Sequence, residues 1–82
     1  MNTLELAQVI RFHRDQAGLT QNELSQLAEV GKTTVFDIEK GKPTVQLQSI
    51  LKVLSVLNVT LSWESPLKEL YLRRETLDDH QQ

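Results

Sequence analysis

The feature that most constrains the fold of this chain is a strongly signalled helix start near its middle. Thr20 and Glu23 have the spacing of a capping box, in which each side chain bonds the backbone N–H of the other residue. Leu19 and Leu24 have the spacing of the hydrophobic staple that accompanies such a cap. Together these signals predict a helix over Gln21–Ala28.

A second short helix is predicted directly after this one, beyond a tight turn. Val35 and Ile38 have the spacing of a buried helical stripe, and Gly41 and Pro43 terminate it. The predicted helix covers residues 32–39. Two short helices around a tight turn form a unit that presents the second helix on the surface.

The rest of the chain is predicted to be mostly helical. Apolar residues at helical spacing predict a first helix over residues 3–17 and a fourth helix that Thr44 caps and Asn58 stops. Residues 59–64 alternate apolar and polar side chains, which is the two-residue period of a strand. Ser65 and Pro66 then favour a last helix, as an N-cap and a first helical residue.

Composition excludes several function classes. The chain has 82 residues and no cysteine, so we expect one domain with neither a disulfide framework nor a thiolate nucleophile. No apolar run approaches the ~20 residues that span a membrane, and the N-terminus lacks the pattern of a signal peptide. We therefore expect a soluble protein of the cytoplasm.

The charge distribution is uneven. The formal net charge is −2, which predicts weak non-specific attraction to nucleic acid. The middle of the chain is nevertheless basic, because residues 31–52 carry four lysines against two acidic residues, whereas acidic residues dominate the end of the chain. The basic segment coincides with the second predicted helix.

The stretch TQNELSQLAEVGKTTVFDIEKGK, residues 20–42, resembles the helix-turn-helix of the Cro and phage-repressor-like (XRE) family of transcriptional regulators. The resemblance extends over about residues 5–58, with Ser25 where the two helices cross and apolar residues at the core positions. It implies a lambda-repressor-like fold of four to five helices. Glu29 departs from the family, in which this turn position is often glycine to ease a positive φ.

The resemblance also implies residue roles. In the family, residues at the positions of Arg14 and Glu39 form a buried structural salt bridge. Because Val35 and Ile38 point inward, the outward residues of the second helix are the candidates for contact with bases. Lysine can donate to guanine, phenylalanine can contact only a thymine methyl, and Asp37 can accept from cytosine. The predicted base-reading residues are Lys32, Thr33, Phe36 and Asp37, and the predicted phosphate contacts are Thr20, Gln21, Thr34, Lys40 and Lys42. The alternatives are a merely solvated lysine face and an inward Phe36.

The predicted strand requires a partner, since no other segment of the chain is predicted to pair with it. Two copies pairing through Val59, Leu61 and Trp63 would form a homodimer about a two-fold axis and would read a palindromic operator. The alternative is an edge strand packed on its own monomer. The predicted division of the chain is residues 1–58 for the helix-turn-helix domain, 59–64 for the dimerising strand and 65–82 for a C-terminal helix and tail.

The helix-turn-helix together with VTLSWESPL is similar to the HipB-type branch of the family. Members of that branch are antitoxins that bind a HipA-like serine/threonine kinase toxin and repress their own operon, and a third component can belong to the system. Leu67, Leu70 and Tyr71 form an apolar stripe suited to partner contact. The alternatives are a stand-alone repressor and an interaction module that no longer reads DNA.

Enzymatic and metal-binding functions are not indicated. The string GKTT at residues 31–34 lacks the upstream glycine and strand of a phosphate-binding loop, because Gln26 lies where that glycine belongs. His13 and His80 are the only histidines and are far apart in the sequence, which predicts no metal site and no catalytic triad. We expect a DNA-binding protein with no cofactor.

Overall fold

Five helices follow one another along the part of the chain that can be described. The computed structural model describes the backbone of residues 1–81 and the side chains of residues 1–74. The helices are α1 (Thr3–Gln16), α2 (Gln21–Ala28), α3 (Thr34–Glu39), α4 (Leu47–Val56) and α5 (Lys68–Gln81). The predicted mostly helical fold is confirmed, while the side chain of His80 and the end of the predicted tail 65–82 lie outside the described residues.

The capping box that starts α2 is confirmed. The Thr20 hydroxyl accepts from the Glu23 N–H at 3.0 Å, and the Glu23 carboxylate accepts from the Thr20 N–H at 2.9 Å. The bond from the Thr20 backbone, followed by the one to its side chain, holds the pKa of Glu23 below its ordinary value. Because the folded pKa is the lower one, this contribution to stability is present at neutral pH and is lost as pH falls through that lowered pKa.

The turn after α2 contains a residue in the left-handed region. Glu29 has φ 56° and ψ 46°, and the following Val30 N–H donates back to the Ser25 carbonyl at 3.1 Å. Left-handed backbone costs a residue with a Cβ roughly 1–2 kcal/mol. The expectation from the sequence is confirmed: Glu29 occupies a position that favours glycine, and the turn is kept.

A single apolar core joins the first four helices. The apolar residues of this core are Ile10, Leu24, Ala28, Val35, Ile38, Val53 and Leu54. Ser25 on α2 is buried among these residues, and its hydroxyl donates to the Asn22 carbonyl at 2.7 Å. The core therefore gains no polar group without a hydrogen bond from this serine. None of the described side chains of α5, residues 68–74, belongs to this core, which joins the first four helices.

Three predicted helix starts are displaced by two residues each. The second helix of the motif begins at Thr34 rather than at Lys32, because a turn bond from the Thr34 N–H to the Gly31 carbonyl, 3.0 Å, precedes it. The N-cap of α4 is Gln46 and not the predicted Thr44. The Ser65 hydroxyl does accept from the Leu67 N–H at 3.1 Å, but α5 itself begins at Lys68.

The predicted strand is wrong for the single chain. Residues 1–81 contain no strand, and residues 59–65 form a connection without regular structure. Asn58 stops α4 as predicted, with φ 58°, and the Val59 N–H donates to the Leu54 carbonyl at 3.0 Å. A strand is defined by its hydrogen-bonded neighbour, and the described chain gives residues 60–62 no backbone partner.

Candidate nucleic-acid interface

A largely but not fully buried ion pair connects α3 to α1. Arg14 on α1 donates to Glu39 at the end of α3 through Nε at 2.6 Å and Nη2 at 3.0 Å, and donates through Nη1 to the Leu19 carbonyl at 2.8 Å. Only 13% of the Arg14 side chain and 5% of the Glu39 side chain is exposed. The hydrogen bond with Glu39 raises the pKa of Arg14. The pair implied by the family resemblance is confirmed, and it joins α1, the start of α2 and the end of α3.

The C-terminal end of α3 lies close to α1 at Gly41. Gly41 has φ 77°, and its N–H donates to the Ile38 carbonyl at 2.9 Å. A Cβ on Gly41 would lie 2.7 Å from Leu4 Cδ2, closer than real contacts allow. The left-handed backbone therefore favours glycine here, and any side chain would also require Leu4 to move.

The four residues predicted to read bases lie at the start and on the solvent side of α3. Lys32 and Thr33 are exposed in the turn before the helix, and the Thr33 carbonyl accepts the first helical bond from the Asp37 N–H at 2.9 Å. Phe36 is 46% exposed, so the alternative that it packs inward is wrong. Asp37 is partly buried. The structure thus brings all four to one surface, opposite the buried Val35 and Ile38.

Two of the predicted phosphate contacts are lysines that fold back onto α3. Lys40 Nζ lies 4.8 Å from the centroid of the Phe36 ring, and Lys42 Nζ lies 3.8 Å from Asp37 Oδ2. Neither pairing was predicted from the sequence. The spacing of four residues between Phe36 and Lys40 on one helix was a signal for the first, whereas the second depends on the turn at Gly41.

The other predicted phosphate contacts lie in two places. Thr20 is engaged in its capping box, and Gln21 donates through Nε2 to Glu39 at 3.1 Å. Thr34 instead lines a polar hollow of about 240 Å³ between α3 and the start of α4. The hollow also receives Lys42, so Thr34 and Lys42 share one surface.

The predicted dimer residues differ in exposure. Val59 is partly buried and packs against the core of its own chain, whereas Leu61 and Trp63 are 41% and 46% exposed. Leu61 borders a hollow of about 480 Å³ together with residues 1–3 at the N-terminus. Only the outer part of the predicted dimer surface is therefore accessible.

An apolar surface follows this segment, and we refer to it as the C-terminal apolar face. Trp63 and Tyr71 meet edge to face, with ring centroids 5.3 Å apart, and Lys68 Nζ lies 5.3 Å from the Trp63 ring. A hollow of about 340 Å³ opens beside them. The C-terminal apolar face consists of Trp63, Leu67, Leu70 and Tyr71, all of which are exposed.

Membrane-spanning helices and metal-ligand clusters are both absent from the described residues. No helix there is both long and apolar enough to cross a membrane. No group of three or more histidine, aspartate or glutamate residues in that part of the chain is arranged to hold a metal ion.

Comparison with known sequences identifies relatives. A helix-turn-helix family model matches residues 10–63. The uncharacterized HTH-type transcriptional regulator y4mF of Sinorhizobium fredii is 34% identical over 62 residues, which are 76% of this chain and 82% of that protein. An uncharacterized HTH-type transcriptional regulator of Haemophilus influenzae is 41% identical over 49 residues, 60% of this chain and 50% of its own length.

Comparison with solved structures gives the same fold. One chain described as MDT protein and one from a HipB–O2 20mer complex each superpose with a TM-score of 0.72 at 23% identity and cover 80% of this chain. The matched regions make up 93% and 92% of those two chains. At this identity the likeness establishes the fold, and the sequence match establishes the family. The chain belongs to the XRE-type helix-turn-helix family and is a DNA-binding transcriptional regulator.

Proposed function

We propose that this chain is a cytoplasmic repressor that binds palindromic operator DNA as a homodimer and is the antitoxin of a HipA-type serine/threonine kinase toxin. The observation that carries the DNA part is the position of α3: Arg14 and Glu39 hold its end in the domain while Phe36 and its neighbours face outward. A helix presented in this way fits the major groove, which admits one helix.

The proposed roles within the groove follow from side-chain chemistry. Lys32 donates to guanine, Thr33 contacts a base edge or a thymine methyl, and Phe36 packs on a thymine methyl. Asp37 accepts from the amino group of cytosine. Around them, the proposed phosphate contacts are Thr20, Gln21, Thr34, Lys40 and Lys42, which position the helix without choosing a sequence.

Dimerisation is proposed to occur through residues 59–64. Leu61 and Trp63 are large apolar side chains that are exposed, and the backbone of residues 60–62 has no partner in the described chain. A second copy of this segment supplies both apolar area and hydrogen-bonding groups. Two α3 helices would then face half-sites about 34 Å apart, one turn of DNA.

The toxin partner is supported by two observations. The fold matches a chain from the HipB–O2 20mer complex, and the C-terminal apolar face is made of exposed residues that lie outside the apolar core. We assign toxin contact to this face, and a third component can complete the system. A kinase-like reading frame beside the gene supports the antitoxin, and its absence favours a stand-alone repressor.

The DNA-binding proposal predicts a preference for the sequence upstream of the gene. The full chain is titrated at moderate salt into a labelled duplex of that sequence and into a scrambled duplex of the same composition. Specific and non-specific affinities of such proteins differ by on the order of 10³-fold or more, and we expect that range here. Equal binding to the two duplexes would contradict both DNA-binding functions, the antitoxin and the stand-alone repressor. It would favour an interaction module that no longer reads DNA.

The dimer proposal predicts that Leu61→Glu is a monomer. Burying a carboxylate in an apolar interface is strongly unfavourable, while Leu61 is exposed in the single chain and its replacement leaves the core intact. Sedimentation velocity measures the oligomeric state, and circular dichroism checks helicity. Leu27→Glu, at an exposed leucine of α2, is the matched control and should remain dimeric. If Leu61→Glu stays dimeric and Leu27→Glu does not, the interface lies on α2 instead.

A further inference from the structure

The turn that ends α3 returns the chain toward the outward side of that helix. The Gly41 N–H donates to the Ile38 carbonyl at 2.9 Å, and the Lys42 N–H donates to the Asp37 carbonyl at 3.1 Å. This is the paired-bond arrangement that a left-handed glycine allows at a helix end. It brings the backbone of Lys42 back beside Asp37, five residues earlier in the chain.

The side chains of these two residues also meet. Lys42 Nζ lies 3.8 Å from Asp37 Oδ2, and about half of the Lys42 side chain is exposed against a third of that of Asp37. Both residues border the polar hollow beside Thr34. An acidic residue that is proposed to read a base therefore neutralises a lysine that is proposed to contact phosphate.

We propose that Asp37 is a specificity-determining residue that withholds Lys42 from DNA until a cytosine amino group is in reach. On an unsuitable sequence the Asp37 carboxylate finds no donor among the base edges, and Lys42 remains paired with it. On a suitable sequence the cytosine N4 amino group donates to Asp37, and Lys42 is released to a phosphate. Base recognition and phosphate binding are thereby coupled. The inference rests on the proposed function in DNA reading.

The size of the effect follows from the type of ion pair. Pairs as exposed as this one change an equilibrium by up to about fivefold, so Asp37 adjusts discrimination and does not create it. The chain is acidic overall, with a net charge of −2, and this already weakens non-specific binding. Withholding one further lysine acts in the same direction at the protein–DNA contact itself.

The test compares Asp37→Asn with wild type on the upstream and scrambled duplexes. Asparagine keeps the size of the side chain but lacks the negative charge that pairs with Lys42. Binding to scrambled DNA should therefore tighten about three- to fivefold. One additional phosphate contact should steepen the logarithmic dependence of that binding on salt by about 0.9. Binding to the upstream duplex should not tighten, because Lys42 is already released there and the variant loses the carboxylate that accepts from cytosine.

Two further variants separate the coupling from simple charge. In Asp37→Asn/Lys42→Gln the gain on scrambled DNA should vanish relative to Lys42→Gln alone; if it persists, Asp37 acts by direct repulsion of phosphate and the proposal is wrong. Glu69→Gln makes the same change in net charge on α5 and should leave both affinities unchanged. Equal tightening of Asp37→Asn on both duplexes would also overturn the proposal.

Failure of this inference is distinguishable from failure of the proposed function. If wild type does not prefer the upstream duplex, DNA reading itself is refuted. If wild type prefers it and Asp37→Asn leaves binding to scrambled DNA unchanged, only the withholding of Lys42 is refuted.

Discussion

Replacing Arg14 with methionine is expected to lower the free energy of unfolding by about 1–3 kcal/mol, the typical effect of leaving a largely buried polar group without its partner. Glu39 would keep only the 3.1 Å bond from Gln21, with its side chain 5% exposed. A domain of this size has a narrow stability margin, so the variant should unfold at a clearly lower urea concentration than wild type. Urea unfolding followed by circular dichroism measures the loss.

Arg11→Met is the matched control, since Arg11 is an exposed arginine on the same helix. Its free energy of unfolding should remain within about 0.5 kcal/mol of wild type. Arg14→Met/Glu39→Met should recover much of the loss, because no unpaired carboxylate is left in the domain. Equal stability of Arg14→Met and Arg11→Met would show that the ion pair does not hold α3.

Replacing Lys32 and Thr33 together with alanine is expected to weaken binding to the upstream duplex by on the order of 10²-fold. Each good base contact contributes about 1–3 kcal/mol of discrimination. The two residues lie in the turn before α3, and the Thr33 side chain makes no capping bond, so the helix does not depend on them. Fluorescence anisotropy with the upstream and scrambled duplexes measures affinity and preference.

Lys52→Ala serves as the control for loss of a lysine, because Lys52 is exposed on α4 away from α3. It should retain the preference for the upstream duplex. Helicity and dimerisation of the double alanine variant should equal those of wild type. A double variant that keeps its preference would place base reading elsewhere, and one that loses its dimer would mean that the buried face has been misassigned.

The features that the sequence predicted best are those that depend on neighbouring residues. The start of α2 follows from backbone N–H groups that Thr20 and Glu23 satisfy within one turn, so it could be located without tertiary structure. The pairing of Arg14 with Glu39 spans 25 residues, and only the family resemblance could predict it. The outward position of Phe36 followed from the spacing of the buried residues on either side of it.

Other features depend on geometry that no local pattern contains. The alternation of residues 59–64 predicts an extended segment, but it does not contain the neighbour that would make it a strand. The contact of Lys42 with Asp37 arises because the left-handed Gly41 reverses the chain at the end of α3. The displaced start of α3 also depends on a turn, since the Thr34 N–H, the third amide of the predicted helix, donates to the Gly31 carbonyl.

The division of α3 between its two sides bears on how such a regulator acquires a new target sequence. The inward side is occupied by Val35, Ile38 and Glu39, and the helix ends at the left-handed Gly41, whose N–H donates to the Ile38 carbonyl. The outward residues take no part in that packing. The residues proposed to read bases can therefore change without disturbing the packing that supports them, so the target sequence of such a regulator can change while its fold is kept.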